Sequence, residues 1–500
     1  MAVTQTNAGD LPADLTTVGS LRNDVPLCVD LDGTLILSDV LWESIIQLGG
    51  KPWALIKGAW ALRHGKAAMK TALAEEVKID PAALPYRDDL LEYLRSQHAA
   101  GRRLVLVTAT HISIAQAVAD FLGIFSEVLG TDEQVNLGGE NKKRALVAAY
   151  GAGGFDYIGD HTKDLAIFSA ARHSLLADPS PSLREKAEKI GNVDKVFEHK
   201  RRWVKVIPRA LRIHQWAKNA LLVVPLITAH LVLDIHAWWN VMLAFASFSL
   251  IASATYLVND LHDLPVDRRH QRKRSRPLAS GDLPIPVGLV LTILLSILSY
   301  WLSLACLPKL FTFFLVVYTV LTLAYSFSLK RRLIVDALTL AILYTIRIIA
   351  GAAAISVTLS EWLLMFSLFF FVSLALLKRA IELDEVLDGK MIPGRGYFPT
   401  DLDIIRSIGP TSGLIAVLVL GLYISSPAVS ILYKTPQMLW LLIPVMIYWI
   451  TRIWFLANRR QVHHDPIVFA ITDWRSYVVA GVSGFIMLLA SLNLLQWVTL

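Results

Sequence analysis

Two patterns of apolar residues divide this 500-residue chain. From about Asn219 onward, long apolar blocks recur between short polar loops, at 219–237, 239–258, 286–307, 310–329, 335–356, 361–383, 407–426, 438–457 and 474–495. Each is close to the ~20 residues a helix needs to cross a bilayer, so nine transmembrane helices are expected. Residues 1–200 hold no such run; short apolar strands there alternate with helical patterns, which predicts a parallel α/β sheet. The N-terminus lacks the apolar stretch of a signal peptide, and residues 1–24 are expected to be flexible. A soluble α/β domain over 25–200 and an all-α membrane domain over 201–500 follow.

Composition sharpens this. Hydrophobic residues make up 54% and charged residues 18% of the chain, against roughly 45–50% and 25% in a soluble protein. A wholly soluble or disordered protein is excluded. Cys28 and Cys306 lie far apart, so a disulfide framework or cysteine zinc site is excluded too. The net charge of +7 is concentrated in alternate loops: Lys200–Lys218, Arg268–Arg276, Lys330–Arg332, Lys378–Arg406 and Arg459–Arg460. The intervening loops offer only Lys309 and Lys434. By the positive-inside rule this alternation supports nine spans and a cytoplasmic N-terminal half; the expected location is a bacterial inner (cell) membrane. It also accounts for the basic charge without nucleic acid, and leaves one face able to hold anionic lipid or a phosphorylated substrate.

Four motifs in the soluble half carry chemistry. A short strand runs into Asp30-Leu-Asp32-Gly33-Thr34, a second ends at Thr108, Lys142 and Lys143 open a helical stretch, and a third strand ends at Gly159-Asp160 with Asp164 just beyond. Sites in parallel sheets lie at these carboxyl ends. A carboxylate nucleophile, Asp30, would form an aspartyl-phosphate; Asp32 would protonate the leaving oxygen and later activate water. Thr108 and a lysine would neutralise phosphate oxygens. Lys142 is preferred, because Leu146 then falls four residues later on the same helix face. Asp30, Asp160 and Asp164 would hold Mg²⁺. The set resembles the haloacid dehalogenase (HAD) superfamily of phosphatases over about residues 25–195. The helical residues between Leu37 and Ala99 read as a small cap, whose Trp53 and Trp60 face either a membrane surface or a core.

In the membrane half the informative segment is Asn259-Asp260-Leu-His-Asp263-Leu-Pro-Val-Asp267, followed by two arginines. The spacing i, i+3, i+7 puts Asp260, Asp263 and Asp267 on one face of a continuous helix. Such carboxylates repel one another, a cost that Mg²⁺ bridging them to a diphosphate would remove. Asn259 and the three aspartates are the expected metal ligands, Asp260 and Asp263 the expected catalytic pair, and Arg272, Lys273 and Arg276 the counter-charge. Arg347 lies deep in a span, where its partner is either a lipid phosphate or a carboxylate such as Asp336. His463-His464-Asp465 is read as loop and Asp473 as a helix cap.

This NDxxDxxxD pattern resembles the first aspartate-rich motif of the UbiA superfamily of intramembrane prenyltransferases, over about residues 205–500. The resemblance implies a nine-helix bundle and an Mg²⁺-bound diphosphate substrate. Arg212-Ile-His-Gln215-Trp216-Ala-Lys218-Asn219, Tyr325-Ser326 leading to Lys330 and Asp336, and Tyr344-Thr-Ile-Arg347 resemble its decaprenyl-phosphate phosphoribosyltransferase branch. That branch implies transfer of phosphoribosyl from phosphoribosyl diphosphate to a polyprenyl phosphate, with Lys218, Tyr325, Lys330, Arg347, Lys378 and Arg379 as phosphate contacts. The fused phosphatase would then act on the lipid-linked product. The alternative is a polyprenyl transferase acting on an aromatic acceptor, in which Asp384 and Asp388 form a second metal motif; Glu382 and the basic pair Lys378-Arg379 resemble the phosphoribosyl branch instead. A membrane scaffold or transporter would instead show inverted repeats and mid-membrane breaks.

Overall fold

The computed structural model describes residues 25–199, 201–384, 396–462 and 466–491. They form two compact units, one of residues up to Ala210 together with Asp260–Val290, the other of Leu211–Asn259 and Leu291 onward.

In the first unit six strands, β1 (Leu27–Val29), β2 (Leu104–His111), β3 (Glu127–Thr131), β4 (Asp156–Gly159), β5 (Ser174–Ala177) and β6 (Val193–Phe197), make one parallel sheet. Its order is β3-β2-β1-β4-β5-β6. Alternate residues serve opposite faces, as strand geometry requires. Leu27, Val29, Leu104, Leu106 and Ile158 enter one core, and Cys28, Val105, Val107 and Tyr157 the other. Both faces are covered, which is why β1 is apolar throughout. The chain leaves β1 toward β2 on one side and returns to β4 on the other, so a crevice opens beyond the carboxyl ends of these strands.

Three helices, Val40–Gln47, Pro52–Ala61 and Lys66–Glu76, are inserted after β1. They share a small core of Leu48, Ala54, Leu73 and Val77. The following helix, Asp88–Ala99, instead packs Leu90 and Leu94 into the sheet core. The loop Asp260–Val290 folds with this same unit. Arg268 reaches Glu43 of the insert at 2.6 Å with both side chains buried, Arg269 reaches Asp80 at 2.5 Å, and His199 meets Asp282 at 3.0 Å. Gly281 has a positive φ and lies against Leu37, where an added Cβ would come within 2.6 Å of the leucine Cβ.

The second unit is helical. Among the described residues, eight helices are long and apolar enough to cross a membrane: Ile235–His262, Ile285–Cys306, Lys309–Phe327, Val335–Ala354, Glu361–Asp384, Pro399–Ile424, Pro436–Asn458 and Trp474–Ser491. They match the second to ninth apolar blocks. The first block differs. Its residues fall into a 3₁₀ segment, Ile213–Val223, a five-residue helix, Val224–Thr228, and a turn through His230 with φ 57°. Asp234 then caps the next helix, accepting from the His236 and Ala237 amides at 2.8 and 3.2 Å. Pro225 and this cap divide a run that composition alone makes continuous. Val335–Ala354 is the most enclosed span. Small and hydroxylic residues let helices approach it and one another: Gly351 lies against the Leu222 carbonyl, and Ser247 and Ser299 exchange hydrogen bonds of 3.0 and 2.8 Å.

Candidate active sites

The carboxyl ends of β1, β2 and β4 gather the motif residues of the soluble half. Asp30 Oδ1 accepts from the Leu31 amide at 2.8 Å, and its Oδ2 lies 2.8 Å from Lys142 Nζ. Lys142 also donates to Tyr157 Oη at 3.1 Å, and Tyr157 Oη lies 3.4 Å from Asp30 and 3.3 Å from Asp164. Asp32 is held by the Val40 amide at 2.8 Å, Thr110 Oγ1 at 2.7 Å and Thr108 Oγ1 at 3.3 Å. Thr34 Oγ1 donates to Asp160 at 3.1 Å. Gly33 adopts φ +73°, and an added Cβ would stand 2.2 Å from an Asp160 oxygen. Only glycine permits that approach.

Crowding sets the electrostatics. Burial, then the Asp39 carboxylate, pushes the Asp32 carboxyl up to about 7. Burial and Asp30 push Asp160 up to about 8 and Asp164 up to about 6. Burial opposes the Lys142 charge, but Asp30 and Asp164 outweigh it and hold the ammonium above its ordinary value. Ligand oxygens of Asp30, Asp160 and Asp164 all lie within 4.8 Å of one another. An all-oxygen set with this excess of negative charge fits a hard divalent cation. Tyr157, Thr110 and Lys70 belong to the same neighbourhood and were not legible as site residues. Lys70, on an insert helix, donates to the Ala109 carbonyl at 2.5 Å and to Asn136 at 3.0 Å, linking the insert to the end of β2.

The acidic motif is arranged otherwise than a continuous helix would place it. The helix ends at His262, Asp263 is the cap of a new helix, Leu264–Arg269, and Pro265 occupies its first turn. Among the described residues, Asp260, Asp263 and Asp267 do not close into a metal-sized cluster. Asp260 and Asp267, both buried, converge instead on Arg276, whose guanidinium reaches Asp260 at 3.0 Å and also bonds Asp267. Burial raises the Asp267 carboxyl. Its Oδ1 is buried without a hydrogen-bond donor, the Lys273 ammonium being 3.9 Å away. That orphaned oxygen is the feature here that fits a cation. Arg272 is exposed.

In the second unit Lys330 Nζ lies 3.5 Å from Asn259 Oδ1. Two arginines are buried within spans, in contrasting company. Arg379 forms ion pairs with Asp336, at 2.6 Å, and with Glu382, and donates to Tyr325 Oη at 3.2 Å, while Tyr325 donates to Asp336 at 2.8 Å. Two carboxylates therefore already satisfy the side chain expected to contact phosphate. Arg347 donates to Asn219 Oδ1 and Tyr318 Oη, each at 3.0 Å, and to the Leu343 carbonyl; every one of these acceptors is neutral. The Lys218 ammonium and the Arg347 guanidinium lie over the Tyr344 ring at 5.8 and 5.7 Å, and Arg212 stacks over Tyr256 at 5.0 Å. Asp336 thus belongs to Arg379, not to Arg347. Lys378 is half-buried on the same helix as Arg379. Asp384 is bound by Arg406, 2.9 Å from both carboxylate oxygens. Asp388 and His463–Asp465 lie outside the described residues. Asp473 caps its helix, accepting from the Ser476 amide at 3.0 Å.

Comparison with known proteins fits both units. The UbiA prenyltransferase family model matches residues 222–474, and the haloacid dehalogenase-like hydrolase model matches residues 27–169. An uncharacterized protein, y4nM of Sinorhizobium fredii, is 36% identical over 93% of this chain and 91% of its own length. Decaprenyl-phosphate phosphoribosyltransferase of Mycobacterium tuberculosis is 35% identical over 35% of this chain and 60% of its own. A solved UbiA homolog from Archaeoglobus fulgidus, bound to GPP and Mg²⁺, is 16% identical over 56% of this chain and 96% of its own, at a TM-score of 0.44. The chain is an enzyme of the UbiA prenyltransferase family, an integral membrane family, and carries a haloacid dehalogenase-like hydrolase domain ahead of its helical region.

Proposed function

We propose that the chain transfers a phosphoribosyl group from phosphoribosyl diphosphate to a polyprenyl phosphate, and that its hydrolase domain removes the remaining phosphate of the lipid-linked product. The observation that carries this reading is the company of Arg347. A guanidinium buried in a membrane span with only neutral partners is costly unless an anion joins it. A phosphorylated acceptor supplies that anion and an aromatic acceptor does not. The relatives named decaprenyl-phosphate phosphoribosyltransferase point to the same chemistry.

In this reading Asn259, Asp260, Asp263 and Asp267 would hold Mg²⁺ once Arg276 turned from Asp260 and Asp267 to the donor diphosphate. When bound, the cation supplies positive charge where the leaving diphosphate develops its own. A lipid phosphate oxygen, oriented by Arg347 and Lys218, forms the new bond to the anomeric carbon as the bond to diphosphate oxygen breaks. In the hydrolase, Asp30 attacks the phosphorus while Lys142 and Thr108 neutralise its oxygens. Asp32, raised to about 7 by burial and so able to exist in either form near neutrality, protonates the departing alcohol oxygen and later takes a proton from water. Asp30, Asp160 and Asp164 would hold the Mg²⁺ there.

A ninth crossing belongs to the same proposal. Eleven residues of 3₁₀ segment at ~2.0 Å and five of helix at ~1.5 Å carry Ile213–Thr228 about 30 Å, the thickness of a hydrocarbon core. With it, the basic segments before Ile213 and at Arg268–Arg276 fall on one side, as the positive-inside rule requires. That side would be the cytoplasm and the membrane the bacterial inner membrane.

The family name favours a second reading, prenyl transfer to an aromatic ring. The Asp384–Arg406 pair weighs against it, because that carboxylate is already neutralised. Incubating the purified chain with both donor classes, and weighing the lipid products, separates the two. Polyprenyl phosphoribosyl phosphate supports the first reading; a prenylated hydroxybenzoate overturns it.

A further inference from the structure

The insert helix Pro52–Ala61 turns its small residues inward and its large ones outward. Ala54 and Gly58 are buried, the glycine so close to Leu73 that an added Cβ would stand 2.6 Å from a leucine methyl. Trp53, Ile56 and Trp60 are 62%, 68% and 61% exposed, and Leu62 just beyond is 48% exposed. A surface helix of a soluble domain shows the reverse arrangement. Lone exposed apolar residues are ordinary, but three at helical spacing on one face are a patch. Residues 51–66 contain Lys51, Lys57, Arg63 and Lys66 and no acidic residue; Lys57 pairs with Glu75 and Glu76 of the helix Lys66–Glu76 at 3.0 and 3.5 Å, and the Arg63 guanidinium lies 4.0 Å over the Trp60 ring. Tryptophan with flanking cations is the composition of a helix lying in the headgroup layer.

A second observation bears on where this insert meets a membrane. The segment Asp260–Val290 joins Ile235–His262 and Ile285–Cys306, two helices long and apolar enough to cross a membrane. The insert binds that loop through the buried Glu43–Arg268 pair, the Asp80–Arg269 pair and the Leu37–Gly281 contact. An insert bound to a segment that runs between two candidate spans is within reach of a bilayer surface.

We propose that the helix Pro52–Ala61 is an interfacial helix, docking Trp53, Ile56 and Trp60 onto a bilayer surface bearing anionic headgroups. The docking rests on neither proposed reaction. Its consequence for the hydrolase is a choice of substrate: the helix belongs to the insert that, through Lys70, reaches the end of β2 beside Asp32. A phosphate ester tethered to the membrane would be presented to that site at the depth where the helix lies.

The test uses the full-length chain in nanodiscs of phosphatidylcholine and phosphatidylglycerol. A nitroxide is placed at Ile56→Cys in a Cys306→Ser background, with Glu92→Cys as an exposed control on the helix Asp88–Ala99. Hydrolysis of p-nitrophenyl phosphate at the unlabelled rate shows that the labelled insert is folded. Docking predicts that the position 56 label collides several-fold more with oxygen than with an aqueous nickel chelate, and that the position 92 label does the opposite. Nickel-dominated collisions at position 56 overturn the proposal. Protection from both reagents also overturns it, in favour of a second protein surface. The milder Trp53→Phe/Trp60→Phe chain gives an independent reading. The emission lost with these two indoles should be quenched by lipids brominated on the upper acyl chain, and its indifference to bromine overturns the proposal.

Discussion

Arg276 stands between Asp260 and Asp267, bonded to both, where a divalent cation would otherwise neutralise two buried carboxylates. The guanidinium thereby holds the acidic motif together, and in the proposed reaction it would turn to the diphosphate once a cation took over that task. Replacement by glutamine removes the charge and keeps much of the shape. Arg276→Gln is expected to raise the KM for the diphosphate donor at least about tenfold, the equivalent of roughly 1.4 kcal/mol, with hydrolysis of a soluble phosphate ester unchanged. Steady-state kinetics of both reactions on one preparation checks it.

The two buried arginines should part company on substitution. Arg379 is fully buried against Asp336 and Glu382, so Arg379→Met strands carboxylates in the bundle. Breaking such a pair costs about 3–5 kcal/mol, to be read as a large fall in the thermal midpoint of the detergent-solubilised protein. Arg347 has no carboxylate to strand. Arg347→Met should leave the midpoint close to wild type while transfer to the lipid phosphate falls about 100-fold or more, a loss of ~2.7 kcal/mol of transition-state stabilisation.

Asp30 and Lys142 provide the test for the hydrolase. Asp30→Asn removes the nucleophile and should abolish inorganic phosphate release, by at least about 1,000-fold, with lipid transfer intact. Phosphate release at an unchanged rate would remove Asp30 from that role. Because the side chain of Lys142 is buried against Asp30, Lys142→Met should both slow hydrolysis and destabilise the domain.

Removing divalent cations should stop both reactions, and Mg²⁺ should restore both. The chelated protein should keep its fold, since the sheet core contains no metal-dependent contact among the described residues. Circular dichroism before and after chelation, beside the two activities, checks this.

What the sequence made legible was local. The hydrolase motifs sit on the carboxyl ends of neighbouring parallel strands because strand and helix alternation fixes where such ends fall. Lys142 could be chosen over Lys143 from one helix face, the one carrying Leu146. Legibility ended where distant residues decide. The spacing of Asp260, Asp263 and Asp267 presumed one helix, but Pro265 starts another and Asp263 becomes its cap. The convergence of Asp260 and Asp267 on Arg276 crosses a turn that no periodicity records. The exposure of Trp53 and Trp60 follows from Ala54 and Gly58 taking the inner face, and a composition count is blind to that. Lys70, Thr110 and Tyr157 reach the hydrolase site from an insert helix, the end of β2 and the middle of β4, with no motif to announce them.

The central claim is a phosphorylated acceptor within a UbiA-type bundle. Its most direct measurement supplies purified full-length protein and Mg²⁺ with phosphoribosyl diphosphate labelled in the ribose, together with polyprenyl phosphate, and follows label into the lipid phase. The account predicts a labelled lipid carrying ribose 5-phosphate in the Asp30→Asn chain and dephosphorylated ribose in the wild type. Lipid that stays unlabelled under conditions where the same preparation alkylates an aromatic acceptor with a prenyl diphosphate would contradict it.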